Sequence, residues 1–131
     1  MSPLIPDEYD ALRESVRSLC DKKIAPFASD VDQQARFPQE AWDALIEADL
    51  FAAHVPSQYG GQGADALAIA IIIEEVARVC SSASLIPAVN KLGSMPLILA
   101  GTEEQKKKYL TQLAQGKGFS YCLSESEAGS D

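Results

Sequence analysis

Five sets of residues have types and spacings that could do chemistry: Glu74-Glu75, His54, three cysteines, a glycine turn near residue 61, and a hydroxyl-rich last stretch. Paired carboxylates suit acid–base work, but adjacent helix positions point about 100° apart and cannot converge on one substrate atom. Glu74 with Arg78 at i,i+4 and Glu75 with Arg78 at i,i+3 read instead as structural ion pairs. His54 has no Ser, Cys or Asp at triad-like placement in the chain. Cys20, Cys80 and Cys122 lie far apart, and His54 is the only histidine. No metal site and no disulfide framework is therefore expected, and reduced thiols fit an intracellular protein.

Gly61-x-Gly63-x-x-Ala66 matches a loose dinucleotide fingerprint, in which glycines let amides approach a pyrophosphate. Pro56 to Tyr59 separates it from the preceding apolar stretch, and no acidic residue follows at the required distance. A structural turn is the better reading. Lys106-Lys107-Lys108 reads as the wet side of a helix, opposite Tyr109 and Leu110. The last stretch, Tyr121 to Asp131, carries Ser124, Ser126 and Ser130 as hydroxyl donors and Gly129 as a place of close backbone approach. Composition alone makes it a surface loop, although such a loop could seat a planar polar ring or a pyrophosphate.

The elements that must position these residues are helical. Apolar residues at Tyr9, Leu12, Val16, Leu19 and Cys20 share one face of a helix from Asp7 to about Lys23. Pro26 ends or restarts it, and Pro38 suits the first turn of a helix carrying Trp42, Leu45 and Ile46. Leu50 to Val55 is apolar without a clear period. Ala64 to Cys80 is apolar nearly all round, which belongs in the middle of a bundle. Leu85 to Ala100 forms a further apolar helix through Pro87 and Pro96, with Gly101 as its cap. Thr102 to Gln105 makes a capping box for a helix through Leu113, and Gly116 and Gly118 break it. Phe119 to Ser124 alternates like a strand, and a lone strand cannot pair its own backbone groups. That points to an incomplete β-region.

The chain has 131 residues and a net charge of −8, with 47% hydrophobic and 23% charged residues. This is ordinary globular composition, and its acidity disfavours nucleic-acid binding and adsorption to an anionic membrane. The N-terminal residues do not read as a signal or transit peptide.

The run from Tyr121 to Asp131 resembles the signature of the flavin-dependent acyl-CoA dehydrogenases, which ends in Ala-Gly-Ser-Asp. Phe37-Pro38, Pro56-x-x-Tyr59-Gly60-Gly61, Glu74 to Arg78 and Ala100 to Lys106 are similar to that family in the same order. The resemblance implies an all-α N-terminal bundle over residues 1–116. Residues 117–131 would then be the first strand and loop of a truncated middle β-domain. It implies FAD as cofactor, held along Tyr121, Cys122, Leu123, Ser124, Gly129 and Ser130. Ser124 stands where the family usually has Thr, whose hydroxyl bonds the flavin ring; Ser126 stands in place of a frequent proline. Ser130 would also meet the CoA portion of the substrate, and Leu85, Ala88 and Leu92 would line the acyl pocket.

The implied reaction oxidises acyl-CoA to trans-2-enoyl-CoA, with electron-transfer flavoprotein as acceptor and a homotetramer as the parent assembly. The family's catalytic glutamate lies in its C-terminal domain, so no residue here is expected to be catalytic and the isolated chain is expected to be inactive. No metal, nucleic acid or membrane partner is implied. A bacterial cytoplasm is the expected location, with a processed mitochondrial protein as the other option. The rival reading is an acidic helical module that binds a protein partner without catalysis.

Overall fold

The computed structural model describes residues 6–129. Six α-helices follow one another: α1 (Asp10–Lys23), α2 (Ala25–Gln33), α3 (Gln39–Glu47), α4 (Ala66–Val79), α5 (Ser81–Ala100) and α6 (Glu103–Ala114). Short 3₁₀ turns precede α1 at Asp7–Tyr9 and follow α3 at Ser57–Tyr59. The fold is all-helical, with no strand among the described residues.

α4 sits at the centre, packed on α1 to one side and α5 to the other. Its apolar sequence explains this place: Ile69, Ile72 and Val76 enter the core, leaving Ala66, Ala70, Glu74, Ala77 and Arg78 exposed. α1 contributes Val16 and Cys20, α3 contributes Leu45, and α6 closes the core with Leu110 and Leu113. Burial pushes the Cys20 thiol up to about 11, so it behaves as a small apolar side chain.

The helix ends follow local rules. Pro26 lies in the first turn of α2, where a missing N–H costs nothing, so it restarts the chain after α1. The Asp65 side chain caps α4 by accepting from the Ala68 amide at 2.8 Å. Thr102 and Gln105 form the expected reciprocal capping box on α6. Gly116, at φ +91°, ends α6 in a left-handed conformation.

Two local expectations are refined and one open stretch is resolved. α5 starts at Ser81 rather than Leu85, because only Cys80, in extended backbone, separates it from α4. Gly101 caps α5 as expected, its amide donating to the Leu97 carbonyl at 2.8 Å, but at φ −69° rather than in the left-handed region; what requires glycine is that a Cβ there would come within 2.5 Å of the Leu97 carbonyl oxygen. The apolar stretch Leu50 to Val55 is neither strand nor helix. It is a series of turns, begun by Leu50 and Phe51 donating to the Leu45 carbonyl at 2.9 and 3.0 Å, that buries Phe51, Ala52, Ala53 and Val55.

The alternating segment from Phe119 to Ser124 carries no regular secondary structure, and no strand is found among the described residues to complete a ladder with it. α5 is long and apolar enough to cross a membrane by length and composition. In the bundle it packs on α3, α4 and α6, with Asn90 and Ser94 buried.

Candidate functional site

α5 has two faces of different character. Its inner face, with Ala83, Ile86, Asn90 and Ser94, is buried. Outward it presents Leu85, Leu92 and Leu99, which are 60%, 49% and 76% exposed, with Ala88 half-buried between the first two. Spacings of seven place the three leucines along one side of the helix. A contiguous apolar stripe in water is unusual for a surface that has no partner. At its Leu85 end a cleft of about 290 Å³ opens between α3 and α5, lined by Trp42, Ile86, Val89 and Phe119 among others.

The chain leaving α6 crosses α5 close by this stripe. Gly118 passes so near Trp42 that a Cβ would lie 2.5 Å from its ring. Trp42 is itself held edge-on between Phe37 and Phe51, at centroid distances of 5.5 and 4.5 Å. The Phe119 amide donates to Asn90 Oδ1 at 3.0 Å. A Cβ on Gly93 would come 3.0 Å from the Ser120 carbonyl oxygen.

Beyond this crossing, Tyr121, Cys122, Leu123 and Ser124 are all exposed, as is Gly129. Ser130 lies outside the described residues. No backbone hydrogen bond within the chain engages residues 120–129 among those described. A Cβ at Gly129 would meet nothing within 4 Å, so packing inside the chain does not require glycine there. The amides and hydroxyls of this stretch are therefore open to partners outside the bundle.

The other candidates resolve into structural roles. Glu75 is 1% exposed and meets Arg13, Arg17 and Arg78 at 2.8, 2.7 and 3.1 Å. Hydrogen bonds from Arg17 first, then Arg13 and Arg78, hold its carboxyl down at about 2. Such an acid stays ionised and cannot exchange protons near neutral pH. Glu74 pairs with Arg13 at 3.1 Å rather than with Arg78, which reaches Asp21 and Glu75.

The structure also supplies what the sequence hid, because Ser94 lies 2.7 Å from His54 Nε2 across forty positions. This looks like a base and a nucleophile. Ser94 Oγ, however, also lies 2.7 Å from the Asn90 carbonyl, which can only accept. The single hydroxyl proton therefore goes to Asn90, and His54 must donate from Nε2. A histidine in that tautomer cannot deprotonate Ser94. Burial, with Lys91 adding to it, pushes His54 down to about 4, so it stays neutral.

Gly61 and Gly63 form a tight turn, closed by Gly63 and Ala64 donating to Val55 and Ala53 at 2.9 and 2.8 Å. The start of α4 is already served by Asp65, which leaves no anion seat there. Lys107 and Lys108 are exposed, as expected, but Tyr109 shares their side, with Lys108 over its ring at 5.1 Å. Of Tyr109 and Leu110, only Leu110 points inward. Among the described residues, no three His, Cys, Asp or Glu side chains gather as a metal site would need.

The described residues thus form a six-helix bundle with an apolar outer side on α5, and the chain leaving α6 passes beside it into a stretch without backbone hydrogen bonds of its own. Residues 6–117 match the family model described as acyl-CoA dehydrogenase, N-terminal domain, and the chain belongs to this family. A probable acyl-CoA dehydrogenase of Mycobacterium leprae is 61% identical over 128 residues, covering 97% of this chain and 33% of that protein. The solved structure of a glutaryl-coenzyme A dehydrogenase with glutaryl-CoA matches with a TM-score of 0.84 at 34% identity, over 100% of this chain and 34% of that one. An acyl-CoA dehydrogenase from Bacillus anthracis, complexed with FAD, matches with a TM-score of 0.80 at 31% identity, over 99% of this chain and 22% of that one. The chain thus spans about a third of the length of the curated relatives it matches.

Proposed function

We propose that this chain is the N-terminal part of an FAD-dependent acyl-CoA dehydrogenase that oxidises acyl-CoA to trans-2-enoyl-CoA. The observation that carries the reading is the crossing at Gly93, which sets Phe119 and Ser120 against α5 one position from the exposed Leu92. Residues 1–116 are the helical domain and 117–131 the start of a β-domain. Leu85, Ala88 and Leu92 wall the acyl chain and exclude water from it. Tyr121, Cys122, Leu123, Ser124 and Gly129 offer backbone groups and the Ser124 hydroxyl to the flavin, and Ser130 meets both the flavin and the CoA moiety.

FAD, when bound, supplies a hydride acceptor for the β-hydrogen. The α-proton goes to a carboxylate base outside these 131 residues, so the isolated chain does not turn over. Glu75 does not serve as that base, since its oxygens are taken by three guanidinium groups. Electrons pass on to an electron-transfer flavoprotein, and the parent enzyme is a homotetramer. The mycobacterial relative supports a bacterial, cytoplasmic protein.

The test uses the full-length protein. Purified with FAD, it should show bleaching of the visible flavin band on adding an acyl-CoA, and dye reduction under turnover. A protein that carries no flavin, or whose flavin is bleached by no acyl-CoA of any length, sinks the proposal. Dye reduction by residues 1–131 alone would overturn the claim that the base lies elsewhere.

A further inference from the structure

Asn90 is 2% exposed, and its amide joins two segments that the sequence keeps far apart. Nδ2 donates to the Phe51 carbonyl at 3.2 Å, and Oδ1 accepts from the Phe119 amide at 3.0 Å. The first bond ties α5 to the buried turns after α3. The second fixes Phe119, two residues before the stretch proposed to carry the flavin. One turn further along α5, Gly93 leaves just enough room for that stretch, since a Cβ would lie 3.0 Å from the Ser120 oxygen and 3.2 Å from Phe119 Cβ. Beyond Ser120 no described backbone bond holds the chain. Its exit point and direction are therefore set at Asn90 and Gly93, on the same helix whose outer side carries Ala88 and Leu92.

We infer that Asn90 is a positioning residue for the dehydrogenation. It sets the Tyr121–Ser124 backbone, and with it the flavin edge, at a fixed height above the acyl-lining side of α5. The inference rests on the function proposed above. Its physical basis is that reacting atoms must meet within a few tenths of an ångström, and a misplacement of about 1 Å costs up to a hundredfold in rate. Asparagine suits the role because one planar amide offers a donor and an acceptor in opposite directions. Leucine, of similar size, would leave the Phe51 carbonyl and the Phe119 amide unpaired.

The test uses Asn90→Ala and Gly93→Ala in the full-length protein, with kinetics, flavin absorption, thermal melting and amide exchange read together. Gly93→Ala puts a better helix former in the interior of α5, so melting should hold or rise. Its methyl group should displace Ser120, shift the flavin band and lower kcat on the order of tenfold, with the acyl-CoA KM within about twofold. A purely structural glycine would show the opposite split. In Asn90→Ala the Phe119 amide should exchange at least about tenfold faster while α4 amides keep their protection.

Wild-type kcat and flavin spectrum in both variants would overturn the inference, as would unchanged Phe119 exchange in Asn90→Ala. If Asn90→Ala does not fold, Gly93→Ala alone decides. A wild-type protein without flavin fails the functional proposal itself. Phe119 protection that depends on Asn90 in such a protein would leave the contact standing and end its positioning role.

Discussion

Arg17 grips Glu75 with both arms of its guanidinium, Nε donating to Oε2 at 2.9 Å and Nη2 to Oε1 at 2.7 Å. The two residues belong to α1 and α4, so this fork fixes the register of the two most intimately packed helices on that side. Arg13 and Arg78 complete the shell around a carboxylate that water hardly reaches. A buried charge is tolerable only when it is so fully paired.

Glu75→Ala should destabilise the fold by about 2–3 kcal/mol, because three charge-assisted partners are lost and a small void remains. The arginines reach solvent and can rehydrate, which keeps the cost below that of stranding a buried charge. Glu74→Ala, at a side chain 66% exposed, should stay within about 0.5 kcal/mol. Urea unfolding of both variants measures the contrast, and similar values for the two would refute it.

The same carboxylate sets part of the acid limit. Its folded pKa is depressed from 4.5 to about 2, so its contribution is present above pH 4.5 and lost as pH falls toward 2. His54 acts at higher pH. It is held neutral, with its pKa lowered from 6.5 to about 4, so the unfolded chain binds the extra proton between those values. Stability should fall from pH 6.5 to 4 in the wild type. In His54→Gln the melting temperature should be nearly flat from pH 6.5 to about 5, above the range in which Glu75 and Glu40 begin to lose their contributions, and an unaltered slope in that window would show that His54 does not carry it.

The helices and most of their ends were legible from local signals: apolar spacing in α1, the crowded isoleucines of α4, and the capping box at Thr102. Pairings across long sequence distances were not. Nothing local tells Ser94 that it will meet His54, or Glu74 that Arg13 will outcompete Arg78. The turns from Leu50 to Val55 escaped reading because their apolar residues follow tertiary burial rather than a helix or strand period. For the candidate site, the residue types in Tyr121–Gly129 were readable, but the crossing at Gly93 was not. A glycine inside an apolar helix signals close approach without naming what approaches.

Gly61 and Gly63 should separate cleanly on substitution. A Cβ on Gly61 would fall on the Val55 carbonyl group, which the turn cannot move without breaking its closing bond to Gly63. Gly61→Ala should cost on the order of 2–4 kcal/mol. Gly63 sits at φ +64°, where a Cβ would meet only the Ser57 nitrogen at an ordinary 3.9 Å, so Gly63→Ala should cost about 1 kcal/mol. Neither change should alter inorganic phosphate binding measured by calorimetry. A phosphate affinity lost in either variant would revive the dinucleotide reading.

The outer side of α5 gives the sharpest test of where the acyl chain lies. Leu92 is half in water in this chain, so Leu92→Ser should change bundle stability by less than about 1 kcal/mol. If α5 walls the acyl pocket, the cost appears in the full-length enzyme instead, as a loss of kcat/KM that grows with acyl length. Each buried methylene of substrate is worth about 0.8 kcal/mol, so the preference between chains a few carbons apart should move on the order of tenfold. Ala88→Leu works in the opposite sense, filling the space between Leu85 and Leu92 and excluding longer or branched acyl groups while sparing short ones. Steady-state kinetics over an acyl-CoA length series reads both. Parallel losses at every length would mean that α5 meets the CoA or another domain rather than the acyl chain.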